Sequence, residues 1–285
     1  KEMGYFAEQN LNVEILHSSS GEHLKLLMAG DVDFTTSDAT SVLKRRADPQ
    51  LPIIAFALFG QRGQQAYIAL KESGITTPQD WEGKTFGYKI SVPPDYLAIL
   101  NVSNIDRSKI KEVNAGFDPR VLTERKVNIL AVFKSNEPNT IRNMGHSITM
   151  WEPESFGVPN LGLTYITSEK MVNQKPDIVK RFLKASLKGV EYILDNREAT
   201  LNIILKYATG ENRNHQQFML NTELADAKSH MTEKHGIGWM TDTQWKNLSN
   251  LLTEYGALPE EFNYQTAFTN RFIRQIYSEG TLIWP

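Results

Sequence analysis

The opening of the chain alternates short helices and short strands with almost no residues between them. A helix-like run, Gly4 to Glu8, leads directly into an apolar strand pattern at residues 13–16. A second copy follows, in which Gly30 stops a helix pattern that starts at His23, and a strand pattern begins at Asp33. This alternation favours an α/β arrangement with a largely parallel sheet over the first 85 or so residues.

The length and composition are those of an ordinary globular protein large enough for two lobes. The chain has 285 residues, of which 40% are hydrophobic and 22% are charged, and its formal net charge is −2. Acidic and basic residues are mixed along the chain, so no basic patch predicts binding to nucleic acid or to a membrane surface. No apolar run reaches the roughly 18 residues of a membrane span.

Motifs for catalysis and metal binding are missing from the sequence. Because there is no cysteine, disulfides, thiolate metal sites and cysteine nucleophiles are excluded. The six histidines form no compact ligand pattern, and His230 and His235 stand five apart in a polar stretch that is typical of a surface. No nucleophile elbow, phosphate-binding loop or dinucleotide-binding glycine motif occurs. The sequence predicts no catalytic residue, metal or cofactor.

Strand patterns recur through the first 167 residues, and helix patterns follow. Strands are expected at residues 53–59, 67–70, 85–88, 110–114, 129–133, 148–151 and 163–167. Thr77 is expected to cap a short helix with Pro78 in its first turn. From residue 169 onward, helices are expected at residues 175–194, 198–207, 216–226, 242–255 and 269–277.

Polar and aromatic side chains are concentrated in the loops expected to follow these strands. In α/β lobes, ligands bind beyond the carboxyl ends of strands, where loops and helix N-termini meet. Amides, hydroxyls and aromatic rings favour an uncharged heteroaromatic ligand, whose faces stack on rings and whose edges bond to polar groups. The residues predicted from this pattern are Ser19, Ser37, Asp38, Tyr88, Asn136, Glu137 and Trp151.

Most of these residues also have a purely structural interpretation. Ser19 and the pair Ser37-Asp38 can serve as helix caps, while Tyr88 and Trp151 can belong to a core. Asn136-Glu137-Pro138 is harder to explain in this way, because it follows a strong strand pattern and proline ends that pattern at once. These three residues therefore favour a ligand-reading role.

Three stretches of the sequence carry a resemblance to a known family. They are residues 116–122 (GFDPRVL), 132–138 (VFKSNEP) and 156–168 (FGVPNLGLTYITS). With the opening phrase and the phrase from Thr77 to Tyr88, they resemble solute-binding proteins of ABC importers. The family is the one that shares its fold with the yeast thiamin pyrimidine synthase. The last two stretches are more similar to its riboflavin-binding branch than to its pyrimidine branch.

This resemblance implies an α/β, two-lobe periplasmic-binding-protein fold of type II, in which each lobe is a mixed sheet flanked by helices. Lobe I would comprise residues 1–85 and 165–285, and lobe II residues 86–164. Because the family starts with a strand ahead of its first helix, the resemblance also implies that this strand is missing before Lys1.

The resemblance implies site residues and a role as well. Gln61, Asp118, Asn136 and Glu137 match polar residues that follow strands in the family. The expected role is a monomeric receptor, periplasmic or on the extracellular face of the membrane, with or without a lipid anchor. It would capture a small heteroaromatic nutrient and deliver it to an ABC permease. Riboflavin is the first expectation, and a thiamin pyrimidine precursor is the second.

Three other functions stay open on the same fold. A pyrimidine-biosynthesis enzyme would need a reactive histidine at the cleft and usually iron-binding cysteines. A sensor domain of a signalling receptor would be followed by a kinase or membrane segment. A sulfonate or nitrate receptor would need a cationic cleft, for which Lys89 and Arg120 are the obvious suppliers.

Overall fold

A computed structural model describes residues 1–17 and 22–285 of the chain. The strands in chain order are β1 (Phe34–Asp38), β2 (Ile53–Leu58), β3 (Gln65–Leu70), β4 (Thr85–Tyr88), β5 (Lys111–Asn114), β6 (Ile129–Phe133), β7 (Ile148–Trp151), β8 (Leu163–Ser168), β9 (Tyr277–Ser278) and β10 (Thr281–Leu282). The α-helices are α1 (Tyr5–Glu8), α2 (Glu22–Ala29), α3 (Ala39–Ala47), α4 (Pro94–Val102), α5 (Arg120–Thr123), α6 (Glu137–Asn143), α7 (Glu169–Gln174), α8 (Pro176–Asp195), α9 (Arg197–Tyr207), α10 (Arg213–Asp226), α11 (His230–His235), α12 (Asp242–Glu254) and α13 (Ile273–Ile276). Short 3₁₀-helices cover Lys71–Ser73, Pro78–Trp81, Arg107–Lys109, Pro153–Phe156 and Tyr264–Ala267.

The smaller of the two main sheets contains three strands in the order β1-β8-β2. The run of apolar residues in β2 is almost wholly buried, as expected for a strand with helices on both faces. The prediction of a largely parallel sheet is wrong here. β1 and β2 run in the same direction, but the returning strand β8 lies between them and pairs antiparallel with both.

The larger sheet contains five strands in the order β5-β4-β6-β3-β7 and is mixed. β4 pairs in parallel with β5 and β6, whereas β3 pairs antiparallel with β6 and β7. The carboxyl ends of β4, β5 and β6 therefore lie along one edge of the sheet. In α/β proteins this edge is where ligands bind.

Helices cover both faces of each main sheet. On one face of the smaller sheet, α8 and α13 pack on β2 through residues such as Phe56, Leu183 and Ile273. One further core cluster is continuous between the two sheets, and its members include Val42 of α3, Ile53 of β2, Phe86 of β4, Ile129 of β6 and Trp245 of α12. On the far face of the larger sheet, α5 and α6 pack on β3 and β6.

The two segments that cross between the sheets lie side by side. Residues 59–64 connect β2 to β3, and residues 152–162 connect β7 to β8. Backbone bonds join them: Gly63 N donates to Asn160 O at 3.0 Å, and Gly162 N donates to Gly60 O at 2.9 Å. A Cβ atom on Gly60 would lie only 2.6 Å from Leu163 N. Glycine at position 60 therefore permits the close approach.

The pairing of β3 favours a different lobe boundary from the one that the resemblance implies. That boundary puts residues 67–70 in lobe I, whereas β3 is hydrogen-bonded inside the larger sheet. We therefore propose that the first crossing lies at residues 59–64 and that lobe II spans about residues 65–151. The reason is that strand pairing, which assigns β3 to its sheet, is a long-range property that its local sequence does not carry.

Two predicted elements also differ from the structure. Residues 13–16 form no strand, since none of the described strands pairs with them, and Ile15 and Leu16 are exposed. The helix expected at residues 269–277 is reduced to the single turn α13, after which Tyr277 enters β9. For residues 13–16 the apolar pattern has no pairing partner among the described strands. At residues 277–278 the pairing of β9 with β10 takes the place of the last helical turn.

Candidate functional site

Three chain segments leave the larger sheet together where β4, β5 and β6 end. Their side chains are apolar and exposed: Ile90 after β4 is 77% exposed, Phe117 after β5 is 60% exposed, and Phe133 at the end of β6 is 42% exposed. Large apolar side chains exposed close together indicate a binding surface. We take this edge as the candidate site.

Lys89 connects the two aromatic rings of this site. Its Nζ atom lies 3.4 Å from the centroid of the Phe133 ring and 5.6 Å from that of Phe117. The same ammonium forms an ion pair with Glu137, and both side chains are at most one-tenth exposed. Burial lowers the pKa of Lys89, and the charge of Glu137 acts in the opposite direction. The ammonium is thus in cation–π contact with both rings and paired with one carboxylate.

Glu137 is itself fixed at the start of α6. One of its carboxylate oxygens accepts from Lys89, and the other accepts from Phe133 N at 2.9 Å. Pro138, in the first turn of the helix, suits this position because its missing N–H is not needed there. Both carboxylate oxygens therefore have protein partners. Glu137 positions Lys89, whose ammonium has three donors and uses one of them on the described residues.

The structure brings three of the predicted residues to this edge: Tyr88, Asn136 and Glu137. Tyr88 ends β4 and is half-buried against the core. Asn136 is also half-buried, and its Oδ1 atom lies 3.0 Å from Nε2 of His215 on α10. No described residue is bonded to the Asn136 amide nitrogen, so this donor is available to a ligand.

Asp118 and Trp151 have other surroundings. Asp118 is exposed on the loop after β5 and is bound through both oxygens by Arg120. Hydrogen bonds from that guanidinium lower the pKa of Asp118 to about 2. Trp151 is only 6% exposed and packs edge-on against Trp81 at 5.4 Å between ring centroids. It is a core residue in this arrangement, as its structural interpretation allowed.

Gln61 is buried at the crossing and its side-chain amide is fully used within the protein. Its Nε2 atom donates to the carbonyl oxygens of Leu58 and Trp239. Its Oε1 atom accepts from Ser229 and Gln244 at 3.1 Å each. This pattern ties the first crossing to the segments that flank α11 and α12 and leaves no polar group of the side chain for a ligand.

Two of the remaining predicted residues, Ser37 and Asp38, lie at the end of β1 in the smaller sheet. Asp38 caps α3 by accepting from Ser41 N at 2.8 Å, and Ser37 is buried beside β8, with its carbonyl accepting from Thr164 Oγ1. Ser19 lies outside the described residues. For Asp38 the capping role is therefore present, and ligand contact by any of the three stays a prediction.

Sequence reasoning missed Phe117 and Phe133 as site residues and considered Lys89 only for an anionic ligand. A usable signal was present, because each follows or ends a predicted strand of the same parallel group. Phe133 ends a run of apolar residues that the sequence predicts as a strand, and only the structure shows that it is exposed while the four residues before it in β6 are buried.

Metal-binding clusters and membrane-spanning helices are both absent from residues 1–17 and 22–285. No three or more His, Asp or Glu side chains in this part of the chain come close enough together to hold a metal ion. No helix there has the length and hydropathy of a membrane span.

Comparisons with known proteins agree with this architecture. Over nearly its whole length the chain is similar to a formylaminopyrimidine-binding protein of Halalkalibacterium halodurans, with 23% identity over 94% of this chain and 83% of the relative. It is similar to the riboflavin-binding protein RibY of Chloroflexus aurantiacus, with 24% identity over 95% and 79%. A 4-amino-5-hydroxymethyl-2-methylpyrimidine phosphate synthase of Candida albicans matches at 23% identity over 95% and 81%.

Solved structures show the same fold. A putative periplasmic sulfonate-binding protein SsuA of Methylobacillus flagellatus superposes with a TM-score of 0.72 over 95% of this chain and 84% of that chain, at 14% identity. A Candida albicans protein with the generic periplasmic binding protein fold superposes with a TM-score of 0.65. The fold is that of the periplasmic binding proteins. The family model described as NMT1/THI5 like matches residues 1–200, and the chain belongs to this family.

Proposed function

We propose that this chain is the extracytoplasmic solute-binding component of an ABC importer and that its ligand is a flat heteroaromatic molecule. The main support is the pair of exposed rings, Phe117 and Phe133, that both lie within 5.6 Å of the Lys89 ammonium. Receptors among the named relatives bind formylaminopyrimidine and riboflavin. Riboflavin is the first candidate ligand, and a thiamin pyrimidine precursor is the second.

The site offers such a ligand two kinds of contact. Its ring system would stack on Phe117 and Phe133, which adds roughly 0.5–1.5 kcal/mol per aromatic pair beyond the burial of area. Its edge would meet donors, because Lys89 keeps two N–H groups and the Asn136 amide nitrogen has no described partner. Carbonyl oxygens and ring nitrogens are the acceptors that fit these donors.

The sulfonate and nitrate alternatives receive less support from the site. The two candidate cations are both neutralised within the protein, Lys89 by Glu137 and Arg120 by Asp118. A receptor for a permanent anion needs positive charge that is free to meet it. A ligand with neutral acceptors suits the arrangement better.

The remaining parts of the proposed role follow from this class of receptor. The protein would act as a monomer outside the cytoplasm, close over its ligand by rotation of the two lobes, and present the closed form to a permease. The segments at residues 59–64 and 152–162 would be the hinge.

A thermal-shift screen tests the proposal directly. The compounds are riboflavin, FMN, formylaminopyrimidine, thiamin and taurine, each added to the full chain. A ligand present at a hundred times its Kd stabilises the folded state by about 2.7 kcal/mol, which raises Tm by several degrees in a chain of this size. A rise with riboflavin supports the first candidate, and a rise only with the pyrimidine supports the second. A rise in Tm with taurine alone, or no rise with any of the five compounds, contradicts the proposed ligand class.

Removing one of the two exposed rings of the site should weaken ligand binding without unfolding the protein. Phe117→Ala is expected to raise the Kd for the ligand by about 2- to 10-fold, which corresponds to one lost aromatic contact. Titration calorimetry measures this change. Met144→Ala is the matched control, because Met144 is 44% exposed at the end of α6 and away from the rings. Equal Kd values for Phe117→Ala and the unmodified chain would contradict this site.

An enzyme of pyrimidine biosynthesis is the second candidate. It is favoured by the similarity to synthases and by the histidine beside the site, His215, although both ring nitrogens are engaged by Asn136 and Asn139. Incubation of the chain with each ligand that binds, followed by mass spectrometry of protein and small molecule, tests it. A converted ligand or a changed protein mass would favour the enzyme over the receptor.

A further inference from the structure

One helix, α10, contacts the loop between β6 and α6 at both ends of the loop. We use the name reader loop for residues 134–139, which are this loop and the first turn of α6, because they include Asn136 and Glu137. His215, in the first turn of α10, lies within hydrogen-bonding distance of two of its amides, and Asp226, the last residue of α10, binds Lys134.

The C-terminal end of α10 is anchored by buried charge. Asp226 Oδ1 lies 3.0 Å from Lys134 Nζ, and both side chains are at most 4% exposed. Gln64 Nε2 donates to the other carboxylate oxygen at 2.8 Å, and Arg62 pairs with Oδ1 at 3.0 Å. Buried partners of this kind are costly to separate. This end of α10 therefore stays attached to the first crossing and to the start of the reader loop.

The other face of α10 is attached to α9. Arg197 donates to Asn221 at 2.7 Å, and Arg213 donates to Asn202 at 2.9 Å. Since α9 follows α8, which packs on the smaller sheet, α10 belongs to the helical layer of lobe I. It nevertheless holds a loop of lobe II.

The contacts of His215 define the orientation of Asn136. Nδ2 of Asn139 lies 2.9 Å from Nδ1 of His215 and donates to it. The ring then carries its proton on Nε2 and donates to Oδ1 of Asn136 at 3.0 Å. With its oxygen used in this way, Asn136 keeps its amide nitrogen, a donor, without a partner among the described residues.

We propose that His215 is a positioning residue for ligand specificity, which sets Asn136 to offer a donor and so selects ligands with an acceptor at that position. This inference rests on the proposed function. It also means that α10 connects the two lobes, because His215, which orients Asn136 of lobe II, is carried by a helix of lobe I. A carbonyl oxygen or an unprotonated ring nitrogen is the chemistry that this Asn136 would recognise.

A double-mutant cycle on ligand affinity tests the inference. Kd for riboflavin is measured by titration calorimetry on the full chain and on His215→Ala, Asn136→Ala and the double variant. His215→Ala is expected to raise Kd about 3- to 10-fold, the range expected when one hydrogen bond is lost. Because His215 acts through Asn136, the double variant should bind no more weakly than Asn136→Ala alone. Multiplying effects, or an unchanged Kd in His215→Ala, would overturn the inference.

Two further variants make the result specific. Asn136→Asp keeps an oxygen for His215 but removes the donor, so its Kd should rise at least as far as in Asn136→Ala, and an unchanged Kd would overturn the donor role. Gln216→Ala is the control, since Gln216 neighbours His215 but bonds only within α10. If His215→Ala fails to fold, His215→Gln replaces it in the cycle.

The outcome is separable from that of the proposed function. Should riboflavin not bind the unmodified chain, formylaminopyrimidine is the probe for the same cycle. Binding of neither compound would overturn the proposed function and this inference together. If a compound binds and its Kd is the same for the unmodified chain and for His215→Ala, this inference alone is overturned.

Discussion

At the scale of single residues, the number of donors around an acidic group decides whether its charged form is stable in the folded protein. Asp226 is buried with several donors around it, whereas Asp95, at the start of α4, has the Tyr67 hydroxyl at 2.9 Å as its side-chain partner. Burial raises the pKa of Asp95 to about 6, although the bond from Tyr67 acts in the opposite direction. The charged form of Asp95 is therefore disfavoured in the folded state.

Asp95→Asn should stabilise the protein in a pH-dependent way. In the unfolded chain this carboxyl titrates near its ordinary value, about 3.9, so below that pH it is protonated in both states. As the pH rises through 4 to 6, only the unfolded state ionises freely, and the stability of the unmodified chain falls. We expect the variant to gain up to about 3 kcal/mol at pH 7–8 and nothing near pH 3.5, as measured by urea unfolding.

The control for this prediction is Asp80→Asn, which should behave in the opposite way. Backbone N–H groups of Thr76 and Thr77 lower the pKa of Asp80, so its charged form contributes stability that is lost as the pH falls through the folded value. A gain from Asp95→Asn that is equal at pH 3.5 and pH 8 would contradict the assignment of the effect to ionisation.

Asp226→Ala should be strongly destabilising. Burial alone would lower the pKa of Lys134, but the bond to Glu152 and the charge of Asp226 leave it raised, so the ammonium stays charged. With Asp226 removed, Glu152 still pairs with Lys134, so the buried ammonium keeps one partner. We expect the free energy of unfolding to fall by about 3 kcal/mol, as measured by chemical unfolding. Asp118→Ala breaks an exposed pair and should leave the unfolding midpoint unchanged. Similar midpoints for the two variants would contradict this prediction.

At the scale of elements, the two crossing segments are in close backbone contact. Residues 59–64 and 152–162 touch through backbone bonds, and Glu154 adds a bond from Gly63 N at 3.1 Å. Burial raises the pKa of Glu154. Glycine is required where the two backbones come closest.

Gly60→Ala should therefore destabilise the protein, and Gly189→Ala should stabilise it. The added Cβ at position 60 would meet backbone atoms of residues 162 and 163, and we expect a cost of about 1–3 kcal/mol. Gly189 lies inside α8 with open space around its Cβ position, so alanine there should add up to about 1 kcal/mol. Thermal unfolding measures both. A Tm for Gly60→Ala equal to that of the parent chain would show that the crossing can relax.

At the scale of the whole molecule, the two sheets are joined by shared packing as well as by their crossings. One core cluster runs from Val42 and Ile53 beside the smaller sheet to Phe86 and Ile129 in the larger one. Trp245 and Leu248 of α12 belong to the same cluster and are almost fully buried. The apolar surface of one lobe is thus covered in part by the other.

This continuity predicts a single unfolding transition in calorimetry. Domains with separate cores commonly unfold in separate steps, whereas a shared core makes the lobes lose stability together. Leu248→Ala should lower the free energy of unfolding by about 2–5 kcal/mol and move the whole transition to lower temperature without splitting it. Two resolved transitions in the parent chain would contradict the prediction.

Local sequence was sufficient for most elements. The strand expected at residues 85–88 coincides with β4, and the one at residues 129–133 coincides with β6. Thr77 and Pro78 open their short helix with a capping box completed by Asp80. Apolar runs, caps, glycine and proline act over a few residues, so a window of sequence contains the physics that determines them.

The sequence by itself also determined the fold class and the family, because both are carried by the order of such elements and by local phrases. Only the tertiary structure decided that β3 belongs to the larger sheet, that Trp151 is a core residue and that Gln61 is used within the protein. It also decided that Lys89 meets Glu137 across 48 positions and that His215 meets Asn136 across 79. These contacts depend on strand pairing and helix packing between distant segments, and no local pattern records which distant partner a side chain will meet.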